Sequence, residues 1–239
     1  PTILSFIAAT AAYLINPALA QNKLYLISVI LVTFWLLTLI NLKGLHLSTK
    51  FTEFCTIIGL LIPVLFIMGA TLVWILQGHP LQLHFTTANL LPSLGTGENW
   101  ISLTAIMTAF LGMELATVHV REIENPQHIF PKAMFYSVII ILTTMILGSL
   151  AIAMVIPHDQ ISLVSGVMQV FTHFFDAFHM AWILPIIVIM LVIGSLGGVI
   201  NWIISPSKGL MQAAERGFLP PLFAKQNQHK VASAMLVMQ

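Results

Sequence analysis

Long runs of apolar residues dominate the chain, and short polar segments separate them. An apolar helix of about 20 residues crosses a hydrocarbon core of about 30 Å, so each long run is a candidate membrane span. The predicted spans are 3–15 (partial), 24–42, 54–77, 100–120, 133–156, 180–205 and 232–239 (partial). The pattern predicts an all-α polytopic membrane protein, with a single transmembrane domain over residues 1–239.

The basic residues divide unevenly between the two sets of connecting segments that would alternate across the membrane. One set carries eight Lys and Arg residues and the other carries only Lys23. Because cytoplasmic loops are enriched in Lys and Arg, we expect the basic set to face the cytoplasm. Adding or removing one span would scramble this division, which supports the predicted number of crossings.

Composition excludes several classes of protein. The chain is 58% hydrophobic and 7% charged, whereas about a quarter of a soluble domain is charged. A net charge of +1 favours neither nucleic acid nor an acidic partner, and the single Cys55 excludes an intrachain disulfide. We predict no metal and no cofactor. The chain starts at Pro1 and stops within an apolar run at Gln239, so we expect a segment of a longer protein.

Glu114 is the one carboxylate that lies well inside a predicted span. An ionised acid at the centre of a membrane helix costs about 2.5 to 3.5 kcal/mol, and such residues usually face a cavity, a partner or an ion path. The alternative is a structural pair, in which Glu114 reaches toward Arg121, about 10 Å further along the helix. The sequence leaves both interpretations open.

Gly112 lies at the same depth as Glu114. A glycine costs about 1 kcal/mol relative to alanine inside a helix, which makes it weak evidence for a break. Transporters often interrupt helices at the binding site, where the freed backbone groups hold the substrate. We therefore expect the helix to be interrupted within about two residues of Gly112. Close packing through this glycine is the alternative.

The span 180–205 carries a stripe of small and polar residues on one helical face. The stripe consists of Gly194, Gly198, Asn201 and Ser205. Packing between helices is the favoured interpretation of the two glycines taken alone. Trp202 lies beside the stripe, deep in the span, where it would meet a protein core or a substrate cavity. A second stripe, predicted to pack, consists of Thr52, Thr56, Gly59 and Pro63.

Two segments resemble the amino acid, polyamine and organocation transporter superfamily. Residues 112–133, which include Gly112-Met113-Glu114-Leu115-Ala116, Glu124-Asn125-Pro126 and Phe130-Pro131-Lys132-Ala133, resemble its sixth helix and the loop that follows. Residues 205–220, which include Ser205-Pro206-Ser207-Lys208-Gly209-Leu210, resemble the cytoplasmic end of its eighth helix. Within the superfamily, Val118-His119-Val120 and Val167-Met168-Gln169 resemble the bacterial glutamate/γ-aminobutyrate antiporters most closely.

This resemblance implies an inverted-repeat transporter fold with broken helices, present here as a fragment from the end of helix three to the start of helix nine. It implies a secondary active amino acid antiporter in the bacterial inner membrane, with an amino acid as substrate and the lipid bilayer as its surroundings. No nucleic acid partner is expected, and a homo-oligomer is compatible with the sequence. The implied substrate-binding residues are Thr108, Leu111, Gly112, Glu114, Gly198 and Trp202, and Glu114 is also the implied proton-coupling residue.

Selectivity for an acidic substrate stays open, because those antiporters have an acid one turn before the tryptophan, where this chain has Gly198. Two other functions also remain as alternatives. One is a channel or a non-transporting sensor on the same scaffold. The other is an intramembrane enzyme, which we do not expect, since the spans hold no His-Glu-x-x-His pattern and no pair of His, Asp or Cys.

Overall fold

The computed structural model describes most of the chain and shows it as helical. The described residues are 2–42, 45–83, 100, 103–104, 106–108, 110–157, 166–228 and 235–236, without the side chains of 45–49, 119, 121 and 122. Within these ranges there are helices and turns but no β-strand. The predicted all-α fold class is confirmed.

Seven α-helices fall in the described ranges. They are α1 (Thr2–Ala12), α2 (Lys23–Leu42), α3 (Leu45–Thr56), α4 (Ile62–Leu76), α5 (Pro126–Val155), α6 (Gly166–Ala177) and α7 (Leu184–Glu215). A π-helical turn, Ile57–Leu61, joins α3 to α4. The 3-10 helices are Pro17–Gln21, Met113–Glu122, Ala181–Ile183 and Pro221–Ala224.

Four helical stretches in this part of the chain are long and apolar enough to cross a membrane. They are Lys23–Leu42, Lys50–Leu76, Pro126–Val155 and Ala181–Glu215, and each coincides with a predicted span. The last two extend beyond the predicted apolar limits, because hydropathy marks only the part of a helix that lies in lipid. Lys, Glu and Gln continue a helix as readily as apolar residues do.

The ends of the long helices have identifiable causes. Pro126 stands at the first turn of α5, where its missing N–H costs nothing. After α7, Gly217 adopts a left-handed φ of 83°. The Phe218 N–H bonds to the Ala213 carbonyl at 3.0 Å, and the Gly217 N–H bonds to the Ala214 carbonyl at 3.0 Å. This is a Schellman motif, so a glycine that permits positive φ ends the helix.

Pro63 lies within the continuous helical stretch from α3 to α4. In a regular α-helix its ring would clash with the carbonyl four residues earlier, which belongs to Gly59. The π turn removes this conflict, because the Ile62 N–H bonds to the Ile57 carbonyl, five residues back. The apolar helix therefore continues through the proline.

α7 is the central helix, since it contacts α1, α2, α3, the π turn, α4, α6 and the 3-10 helix Met113–Glu122. Two buried apolar clusters lie along it. Near its start, Val188 and Leu191 pack with residues of α4, α5 and α6, among them Phe171 and Phe174. In its second half, residues such as Ile200 pack with α1 and α2. The apolar side chains of α7 thus hold both groups of helices together.

Two helices approach each other closely at Gly59 and Gly194. A Cβ atom added to either glycine would overlap the backbone of the other, so only hydrogen atoms separate the two backbones there. One turn along α7, a Cβ on Gly197 would lie 2.5 Å from the Cβ of Cys55. The packing interpretation is therefore confirmed for Gly59 and Gly194. For Gly198 it is wrong, because no described atom lies within 4 Å of an added Cβ.

Trp74, near the end of α4, is buried in an aromatic cluster. It is 6% exposed, whereas Trp182 is 72% exposed. Its ring stacks on His79 at 4.3 Å and contacts His173 and Phe174 of α6. Its indole N–H donates to the Pro80 carbonyl at 3.3 Å. Trp74 therefore joins the end of α4 to α6.

We predict that Gly194→Ala destabilises the protein by about 1 to 3 kcal/mol, because a methyl group has no space against the backbone of Gly59. Gly69→Ala is the matched control, since an added Cβ at Gly69 meets nothing within 4 Å and alanine is the better helix former. The measurement is reversible unfolding of the purified protein in detergent. Equal stability of the two variants would contradict the close contact.

Candidate functional site

The span that carries Glu114 is interrupted at Gly112. Gly112 has a φ of 103° and a ψ of −13°, a left-handed conformation that glycine adopts at little cost. Just before it, Phe110 and Leu111 donate to carbonyls three residues back, those of Met107 and Thr108. The regular α-helical hydrogen bonds therefore stop here, and the predicted interruption at Gly112 is confirmed.

Beyond the break, the span continues as the 3-10 helix Met113–Glu122, here called the 3-10 segment. Its ten residues exceed the three or four that are usual for this helix type. Leu115 begins it with a bond to the Gly112 carbonyl at 3.1 Å, and Asn125 follows it with a left-handed φ of 49°. The 3-10 segment is thus a separate unit between two left-handed residues.

Glu114 bonds to the break itself. The Gly112 N–H donates to Glu114 Oε2 at 2.8 Å. A carboxylate acceptor makes this hydrogen bond stronger than one between neutral groups. The Glu114 side chain is otherwise exposed. Its alternative partner, the side chain of Arg121, lies outside the described residues. Among the described residues, the Glu114 carboxylate therefore bonds to the Gly112 N–H, a backbone group that the left-handed conformation of Gly112 removes from the α-helical hydrogen bonds.

Trp202 of α7 lies against the other face of the break. A Cβ on Gly112 would come 2.9 Å from Trp202 Cζ2, so the indole rests on the bare Cα. Trp202 is 45% exposed, and among the described residues none has an atom within 4 Å of a Cβ added at Gly198, one turn earlier. The structure thus brings Gly112, Glu114 and Trp202 together.

Thr108 and Leu111 precede the break. The Thr108 hydroxyl donates to the Thr104 carbonyl at 2.7 Å, which is a bond within its own helix. The Leu111 side chain is 61% exposed. Both residues are therefore next to Gly112 in the chain, but their substrate contacts stay a prediction.

Sequence reasoning overlooked Pro206, which lies four residues after Trp202 in α7. A proline has no N–H, so the Trp202 carbonyl cannot receive the regular helical bond from residue 206. Nearby, the Ser205 hydroxyl donates to Asn201 Oδ1 at 3.0 Å. The backbone of α7 is thus perturbed beside the break in the facing span. The spacing of Trp202 and Pro206 could have indicated this.

Chemically, the site offers backbone groups, one carboxylate and one indole. Within the part of the chain that the structure describes, no three His, Cys, Asp or Glu side chains are grouped so as to hold a metal ion. A broken span that faces a long apolar helix is typical of helical membrane transporters.

Comparison with known sequences identifies the family. The sequence profile described as amino acid permease matches residues 1–239. The chain therefore belongs to the amino acid permease family, and the resemblance to amino acid, polyamine and organocation transporters is confirmed. This family, together with helices of membrane-spanning length, confirms a membrane location.

Three curated relatives of this chain are named as transporters or antiporters. An uncharacterized transporter of Legionella pneumophila is 40% identical over 239 residues, which cover 100% of this chain and 51% of the relative. A glutamate/γ-aminobutyrate antiporter of Lactococcus lactis is 29% identical over 241 residues, covering 100% and 48%. A putrescine transporter of Haemophilus influenzae is 25% identical over 195 residues, covering 81% and 42%. The chain spans about half the length of these relatives.

We predict that Gly112→Ala destabilises the protein by about 1 to 2 kcal/mol through the left-handed backbone alone, and by more through the contact with Trp202. Gly148→Ala, at a position in α5 with open space, should be neutral. Removing the indole should recover only the part of the lost stability that arises from the steric contact with Trp202. In a double-mutant cycle, Gly112→Ala should therefore cost less in a Trp202→Ala background. Strict additivity would show that Gly112 and Trp202 are not in contact.

Proposed function

We propose that the gene product containing this chain is a secondary active amino acid antiporter, similar to the glutamate/γ-aminobutyrate antiporters, in a bacterial inner membrane. Its site would alternate access around the break at Gly112. The observation that carries this proposal is the left-handed Gly112 with Trp202 against it and open space at Gly198. The names of the relatives support it, since one is a glutamate/γ-aminobutyrate antiporter.

The chemistry of the break suits an amino acid. The substrate carries an ammonium group and a carboxylate, and an interrupted helix provides N–H and C=O groups that no longer bond to one another. These dipoles can bind both charges without burying a formal counter-charge for each. Thr108, Leu111 and Gly112 would supply the backbone at the break, and the substrate would replace two existing hydrogen bonds there, from the Leu111 N–H to the Thr108 carbonyl and from the Gly112 N–H to Glu114. Trp202 would cover the aliphatic part of the substrate.

Gly198 and Glu114 would set which side chains are accepted. The space at Gly198 leaves room for a substrate side chain next to Trp202. An ionised Glu114 repels a second carboxylate at short range, and its protonation removes that repulsion. An acidic substrate would therefore be favoured at lower pH, and Glu114 would couple proton binding to exchange.

The decisive experiment is counterflow in proteoliposomes that contain the complete gene product. Vesicles loaded with one unlabelled amino acid are offered labelled amino acids or γ-aminobutyrate from outside. We expect saturable uptake that an internal substrate accelerates. Flux that does not saturate would indicate a channel, and saturable binding without flux would indicate a sensor.

We predict that Glu114→Gln changes the pH dependence of exchange, because the amide that replaces the carboxylate cannot take up a proton. The amide oxygen can still accept the Gly112 N–H bond, so folding should be preserved. The pH profile is measured with the fastest substrate found in the counterflow screen. An unaltered profile with reduced expression would favour the structural role of Glu114.

We predict that Trp202→Ala lowers exchange by about tenfold or more while the protein remains folded, since the half-exposed indole contributes more to a site than to a core. Trp202→Phe should restore part of the activity, because it keeps an aromatic face. Ile200→Ala is the comparison for a core residue, as Ile200 is 0% exposed on the same helix. If Trp202→Ala lowered the stability of the protein as strongly as it lowered the rate of exchange, Trp202 would be a residue of the hydrophobic core.

A further inference from the structure

The 3-10 segment contacts α7. Gly112, which immediately precedes the segment, meets Trp202. Six residues later, Val118 Cγ1 lies 3.5 Å from the position of a Cβ on Gly209. The Gln212 side chain reaches the same residue. Because Trp202, Gly209 and Gln212 are seven and three residues apart, they share one face of α7.

The contact at Gln212 is polar and specific. Gln212 Nε2 donates to the Val118 carbonyl oxygen at 3.2 Å, and both residues are partly buried. A backbone carbonyl has two lone pairs, so this oxygen can accept the side-chain bond in addition to a bond within its own helix. The hydrogen bond joins residues 94 positions apart in the chain, which makes it a link between helices rather than a local turn.

We propose that Gln212 is a positioning residue that latches the 3-10 segment onto α7, and that releasing this latch lets the segment move when the site changes the side to which it opens. The proposal rests on the proposed transport function. It deepens that function by naming the contact that holds one half of the broken span in place. Gly209 lies beside the latch, since a Cβ at this position would be in ordinary van der Waals contact with Val118 Cγ1.

The backbone on either side of the 3-10 segment is suited to such a movement. Gly112 and Asn125 are both left-handed, so a change of backbone angles at either residue can redirect the segment. The 3-10 helix rises about 2.0 Å per residue and the α-helix about 1.5 Å. Conversion of ten residues to α-helix would shorten the segment by about 5 Å and withdraw Val118 from Gln212.

The strength of the latch also suits a step that recurs in every transport cycle. One neutral hydrogen bond shifts an equilibrium by about threefold to tenfold. This is enough to favour the latched state, and thermal motion can still break it rapidly.

The test uses the complete gene product in proteoliposomes, with a reporter cysteine at Ala116 and the remaining cysteines, including Cys55, replaced by serine. Ala116 is exposed and lies within the 3-10 segment. Gln212→Leu removes the donor at similar volume, and Gln212→Asn keeps a donor on a shorter side chain. Gly209→Leu displaces Val118 while keeping Gln212. Gln226→Leu is the matched control, because its amide bonds to Glu215 Oε1 at 3.1 Å.

The readouts are the rate of maleimide labelling at residue 116, the KM and turnover of exchange, and thermal stability. We expect Gln212→Leu and Gly209→Leu to raise the labelling rate by about threefold to tenfold and to change turnover, with stability matching that of the Gln226→Leu control. Gln212→Asn should give a smaller effect than Gln212→Leu.

Two outcomes would overturn the latch. One is unchanged labelling and unchanged turnover in Gln212→Leu. The other is a loss of transport that follows lost thermal stability while labelling stays constant, because Gln212 would then be structural only. If the parent protein exchanged no amino acid, the proposed function would fail, whereas the labelling rates would still report whether Gln212 holds the 3-10 segment.

Discussion

A helix that crosses a lipid bilayer must satisfy its backbone hydrogen bonds within itself or within protein, because lipid offers no partners. Four described helical stretches are long and apolar enough to cross a membrane. The break at Gly112 departs from the requirement for internal hydrogen bonds, and the surrounding structure compensates. Glu114 accepts the Gly112 N–H, and Trp202 covers the bare Cα. The candidate site exists because this one departure is stabilised by a carboxylate from its own span and an indole from α7.

The glycines of three spans have different roles that arise from the same missing side chain. Gly59 and Gly194 allow two helices to touch, and this fixes α7 against the π turn that accommodates Pro63. Gly112 uses its conformational freedom to end one helical geometry and begin another. At Gly198, no described atom lies within 4 Å of an added Cβ. The close contact at Gly194 and the open position at Gly198 therefore lie one turn apart on the same face of α7.

The chain belongs to the amino acid permease family and covers about half the length of the curated relatives it matches. Its own geometry supplies one broken span, the indole facing it and a hydrogen bond from Gln212 to the 3-10 segment.

The sequence by itself determined the all-α class, the approximate positions of the four membrane-length helices and the interruption at Gly112. These follow from local properties, namely hydropathy and the helix-breaking tendency of glycine. Only the tertiary structure decided that Gly194 packs while Gly198 does not, although the two residues share one stripe. It likewise decided that Trp74 is buried and that Gln212 reaches Val118. The physical reason is that a helical pattern specifies which residues share a face. The residues that pack against that face come from distant parts of the chain, so the pattern alone does not show which positions are covered.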